Sequence, residues 1–133
     1  MAALEELIKQ MEEKIDSNDF EEVQENCMYE IEEANLGIEA IEPLLLLMER
    51  HPLSDFGLPG AIVHYVERFY KSGYEDLLIS SVGRRPTLHT VWMINRIKNA
   101  GENSEKYEKI LKDILKKQDV EEIITDAVKG FLS

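Results

Sequence analysis

The sequence predicts an all-α fold of about eight helices, and three observations carry that expectation. Apolar residues recur at three- and four-residue intervals along almost the whole chain. No stretch shows the strict apolar–polar alternation of a half-buried strand. Glycine, proline and Asx residues punctuate the chain at intervals that suit helices of two to four turns.

Leu4, Leu7, Ile8, Met11 and Ile15 mark a first helix that ends near Ser17-Asn18. Asp19 with Glu22 reads as a capping box opening a second, whose apolar stripe is Phe20, Val23, Cys27, Ile31 and Ala34. Asn35 and Gly37 suit its end. A third spans about Ile38 to Arg50; Pro43 falls inside that span, and a later start would place it in the first turn instead, while His51-Pro52 stops the helix. The segment "SDFGLPGAIVHYVERFY" (54–70) then begins with turn residues. Gly57, Pro59 and Gly60 read as the start of a fourth helix, which buries Ala61, Ile62, Tyr65, Val66 and Phe69 and ends at Gly73.

A short fifth helix covers about Tyr74 to Val82 and is broken by "GRRPT". The sixth, about Thr87 to Ala100, is apolar nearly all round and is expected to be the central buried helix. The seventh, from about Ser104, carries acid-to-base pairs at i,i+4: Glu105–Lys109, Glu108–Lys112 and Asp113–Lys117. Asp119 with Glu122 is the expected cap of the eighth, which shows Val120, Ile123, Ile124, Ala127, Val128 and Phe131.

"ERHP" (49–52) and "GRRP" (83–86) lie 34 residues apart, each between two apolar helices, and "KKQD" (116–119) falls roughly one step further. HEAT, armadillo and tetratricopeptide helix pairs have periods near this. The expectation is one domain over residues 1–133: an acidic helix pair (1–36) followed by a repeat-like core (38–133). The core is expected as a HEAT- or armadillo-like stack of helix pairs, with an irregular bundle as the alternative.

The chain of 133 residues is long enough to bury a real core. Its longest aliphatic run, Leu44 to Met48, is too short to span a membrane. The acidic, amphipathic start lacks the basic and apolar blocks of a signal peptide, and the single cysteine permits no intramolecular disulfide. Both point to the cytoplasm.

Net charge is −12, and its distribution is uneven: residues 1–49 hold 15 acids against two bases, residues 50–133 hold 12 acids against 13 bases. Asp19, Glu21, Glu22, Glu25, Glu30, Glu32 and Glu33 form a run without a base. A charge run is ordinarily a solvated face. Seven uncompensated acids in fifteen residues cost self-repulsion, however, while the rest of the chain balances its charges. The run is therefore the primary candidate for a partner-binding surface; its field repels nucleic acid and anionic membrane and attracts a basic protein.

Catalytic chemistry finds little support. His64 and Glu67 share a helical face, but zinc wants three or four ligands and H-E-x-x-H is absent. Cys27 sits on an apolar stripe among glutamates, which disfavours its thiolate. No Walker loop, G-x-G-x-x-G or nucleophile elbow occurs. No metal, cofactor or catalytic residue is expected. Arg85, His89, Trp92 and Arg96, at i, i+4, i+7 and i+11, would form one line along the sixth helix. They are secondary binding candidates together with His64 and Glu67, the bland alternative being a core tryptophan with arginines satisfying carboxylates.

Gly57-x-Pro59-Gly60, His64-x-x-Glu67 and Arg85-Pro86-Thr87-x-His89-Thr90-Val91-Trp92, within residues 55–97, resemble a family of all-helical immunity proteins from bacterial polymorphic-toxin and contact-dependent growth inhibition systems. The resemblance implies a small cytoplasmic protein that binds the C-terminal domain of one cognate toxin, often a basic nuclease, as a monomer in a 1:1 complex. The family carries no catalytic residues, and its shared motif residues serve as scaffold or as contacts. A helical-repeat adaptor without a toxin partner is the alternative. An enzyme would require a deep pocket gathering His64, Glu67 and His89.

Overall fold

The computed structural model describes residues 3–133. Among the described residues eight α-helices follow one another: α1 (Leu4–Lys14), α2 (Phe20–Glu33), α3 (Ile41–Arg50), α4 (Gly60–Glu67), α5 (Tyr74–Arg84), α6 (Leu88–Asn99), α7 (Ser104–Leu115) and α8 (Glu122–Leu132). A 3₁₀ turn, Gly37–Ala40, leads into α3, so Pro43 does fall in that helix's first turn, where a missing N–H costs nothing. The described residues contain no strand, and none of their helices is long and apolar enough to cross a membrane.

α1 packs on α2 and α3, α3 on α5, and α2 on α4. α6 meets α3, α5, α7 and α8, and α7 packs on α8. One hydrophobic core runs through the described helices, from Leu7 to Val128, with α6 contributing Val91, Met93, Ile94 and Ile97.

The repeated tetrapeptides mark where successive pairs are stapled. Arg50 donates two 2.9 Å hydrogen bonds to Glu12 on α1. Arg84, one period later, holds Glu49 on α3, and Arg85 holds Glu121 at the start of α8. Leu88 N–H donates to the Pro52 carbonyl at 2.8 Å. Lys117 of "KKQD" reaches the Gly83 carbonyl. Arg68, just after α4, pairs with Glu32 of α2, and Arg96 of α6 donates two hydrogen bonds to Glu67 of α4, at 2.6 and 2.8 Å.

Several boundaries differ from expectation. Asp19 has helical backbone angles, φ −90° and ψ −3°, in place of the extended ones typical of a capping residue, and its carboxylate caps no N–H of α2. Asp119 lies at φ +63° in a turn, and α8 starts only at Glu122, again without a side-chain cap. The capping box that does form is Thr87–Thr90 at α6, with Thr90 N–H donating to Thr87 Oγ1 at 2.9 Å. α4 ends at Glu67, and Gly73, at φ +111°, instead precedes α5. On α7 the ion pairs are Glu108–Lys112 and Lys109–Asp113; the register expected from Glu105 and Lys117 does not form.

Candidate partner-binding site

α2 turns Phe20, Gln24, Cys27, Met28 and Ile31 inward, which leaves all seven residues of the acidic run exposed. At 100° per residue the six that lie on α2 divide into three directions. Glu21, Glu25 and Glu32 flank the side facing α4, Glu22 and Glu33 point outward, and Glu30 lies on the opposite flank. Glu32 is held by Arg68. Among the described residues, Asp19, Glu21, Glu22, Glu25, Glu30 and Glu33 take part in no ion pair.

A cleft of about 710 Å³ opens where the α1–α2 turn, the N-terminal half of α2 and the 55–61 segment meet. Four carboxylates line it, Asp16, Glu21, Glu25 and Asp55, and no lysine or arginine does. A second hollow of about 310 Å³ continues along α2 and α4 past Tyr29, Glu32 and Arg68. The two share Glu25, Ala61 and His64, so they form one groove.

The 51–59 loop that walls the groove is fixed from below. Phe56 is buried and meets the edges of Phe20 and His89 at centroid distances of 5.7 and 5.6 Å. Gln24, only 3% exposed, donates to the Phe56 carbonyl and accepts from Ile62 N–H at 3.0 Å. It thereby caps α4, whose own sequence supplies no side-chain cap. Asp55 accepts from Gly57 N–H at 2.8 Å. Gly57 has φ +106°, and a Cβ there would stand 2.6 Å from Gly60 Cα, so only glycine fits. This packing leaves Leu58 at the loop tip 85% exposed, and Tyr29 on α2 63% exposed.

The remaining candidates have internal partners. Glu67 is bound by Arg96, while His64, one turn earlier, is exposed in the groove, so the two do not act as a pair. Arg85 is not on α6: it lies in extended backbone before Pro86, and Glu121 holds its guanidinium at 2.7 Å. His89, Trp92 and Arg96 do share a line, the His89 edge resting on Trp92 and Arg96 lying 5.0 Å over the indole. His89 is buried, its Nε2 without a partner, and burial lowers its pKa to about 4 against the pull of Asp55. His64, Glu67 and His89 therefore do not converge on one pocket. Cys27 is buried with its Sγ toward Gln10, and burial, with Glu30, raises its pKa. No group of three or more His, Cys, Asp or Glu among the described residues is placed to hold a metal ion.

Sequence reasoning missed Asp16, Asp55, Gln24, Tyr29 and Leu58 as parts of this region. A signal existed for two of them. Tyr29 lies off the apolar stripe of α2, and Leu58 stands alone among turn residues, so neither had an obvious place in the core. Comparison with known proteins gives no match to any family profile, curated protein or solved structure.

Proposed function

We propose that this chain is an immunity protein that binds a cognate bacterial toxin domain, a basic nuclease, and neutralises it by covering its active site or substrate groove. The observation that carries this reading is the set of unpaired carboxylates on α2 and along the adjoining groove. A nuclease must present lysines and arginines to nucleic-acid phosphates. Carboxylates held on a rigid helix satisfy those same cations, steer encounter and displace the substrate. The site is cytoplasmic in this reading, where the delivered toxin acts.

The reading is tested by calorimetry at low and high salt with the C-terminal toxin domain encoded beside this gene. Nanomolar binding that weakens strongly with salt is the expected result. Replacing Glu21, Glu22, Glu25, Glu30, Glu32 and Glu33 together by glutamine should slow association and flatten the salt dependence. Unchanged binding by that variant, or no binding by the parent protein at either salt, would sink the proposal. The exposed Tyr29 and Leu58 favour a second reading, an adaptor for a helical or extended peptide without a toxin partner. That adaptor would bind with little salt dependence.

A further inference from the structure

We infer that the partner does not meet α2 on its outward face but inserts a lysine- or arginine-bearing segment into the groove between α2 and α4, with Leu58 and Tyr29 as its apolar anchors. The inference rests on the reading of the chain as the binder of a basic toxin domain, and it assigns where and how that domain seats.

Three features of the groove separate it from the rest of the acidic surface. It is concave and long: from Glu21 to Glu32 α2 rises about 16 Å, enough for three turns of a docked helix or five extended residues. It is preformed, because Gln24 and the buried Phe56 ring fix the loop that walls it, so little ordering is needed on binding. Its two sections each present one large exposed apolar side chain, Leu58 in the first and Tyr29 in the second. Apolar anchors surrounded by charge are the anatomy of a binding hot spot, whereas glutamates facing open water contribute mainly long-range steering. Glu22 and Glu33 lie in neither section, and Glu30 points to the opposite flank.

Charge complementarity fixes the occupant. Asp16, Glu21, Glu25 and Asp55 surround the larger section, and no lysine or arginine among the described residues lines it to neutralise them. An anionic or purely apolar segment would leave these carboxylates desolvated and unpaired. A basic side chain can lay its aliphatic stem against Leu58 or Tyr29 while its charged head meets the acids.

The experiment compares three variants for binding to the toxin domain encoded beside the gene, with association and dissociation rates measured at near-physiological salt. They are Tyr29→Ser with Leu58→Ser, Glu21→Gln with Glu25→Gln, and Glu22→Gln with Glu33→Gln. The last two remove equal charge, and all six positions are exposed, so circular dichroism should show unchanged helix content. The anchor variant should lose about 30-fold in affinity or more, chiefly through faster dissociation. The groove-acid variant should also dissociate faster. The outward-acid variant should only associate more slowly, by about threefold. If the parent binds the toxin but the anchor variant binds as tightly, or the outward pair costs as much as the groove pair, the groove assignment is overturned and the immunity reading survives. If the parent does not bind, the immunity reading fails and this assignment with it.

Discussion

Replacing Gln24 by methionine probes the element that holds the groove together. The two side chains have similar length, so packing is nearly preserved while both hydrogen bonds vanish. Ile62 N–H, in the first turn of α4, loses its acceptor at 3.0 Å, and the Phe56 carbonyl loses its donor at 3.3 Å. Both bonds are buried, so solvent does not replace them. Each orphaned buried group costs about 1–3 kcal/mol. Added apolar burial by the thioether offsets roughly 1 kcal/mol. The net destabilisation is about 3 kcal/mol, which at a urea dependence of about 2 kcal/mol per molar lowers the unfolding midpoint by about 1.5 M. Equilibrium urea unfolding followed by circular dichroism reads this directly. Hydrogen exchange adds a local readout: the Ile62 amide should lose protection beyond the global change. An unchanged midpoint with Ile62 still protected would refute the claim that Gln24 caps α4 across the groove.

Two further perturbations test the scaffold. His89 titrates at about 4 in the folded chain because burial opposes its charge, against about 6.5 unfolded. Between those values the unfolded state holds a proton that the native state lacks, so His89 lowers stability as pH falls from about 6.5 to about 4, and adds nothing further below. The pH 7 to pH 4.5 loss of stability, measured by urea midpoints, should therefore be about 2–3 kcal/mol smaller in His89→Phe than in the parent; equal losses would contradict the assignment. Glu49, its side chain 9% exposed, accepts from Ser81 Oγ and twice from Arg84. Glu49→Ala should cost about 2 kcal/mol, since a buried hydroxyl and a guanidinium lose their acceptor, though Arg84 regains water. In thermal unfolding that is a fall of about 8 °C in Tm, and a shift near zero would show that the staple between α3 and α5 contributes little.

The helices were legible because each buries a stripe at helical spacing, and the stops were legible where backbone chemistry allows no alternative. Pro43, His51-Pro52 and Gly57-x-Pro59-Gly60 all fall where their missing donors or free φ require. The caps were not legible in the same way. Asp19 and Asp119 carry the right side chain, but whether it reaches a free N–H depends on how the chain enters the helix, and packing sets that angle. The α4 cap comes from residue 24, 38 positions upstream of the Ile62 N–H that donates to it, and no local window contains it. Arg85 was a readable miss, since the proline after it already excludes helix there. The acidic run was plain in the sequence, whereas the groove was not. Asp16 and Asp55 join it only because α2 packs on α4 and brings two distant turns together.

The charge imbalance of the sequence thus acquires a physical division. All five arginines, Arg50, Arg68, Arg84, Arg85 and Arg96, are committed to carboxylates on other elements. Each such pair ties one helix pair to the next, and together they consume Glu12, Glu32, Glu49, Glu67 and Glu121. The scaffold draws only Glu32 from the acidic run. The other six acids are exposed and take part in no ion pair among the described residues, so they contribute repulsion to the folded state. A fold that needed only solubility could scatter them. Two of them, Glu21 and Glu25, instead border the same concavity as the two large exposed apolar side chains, and the proposed basic partner would relieve their repulsion there.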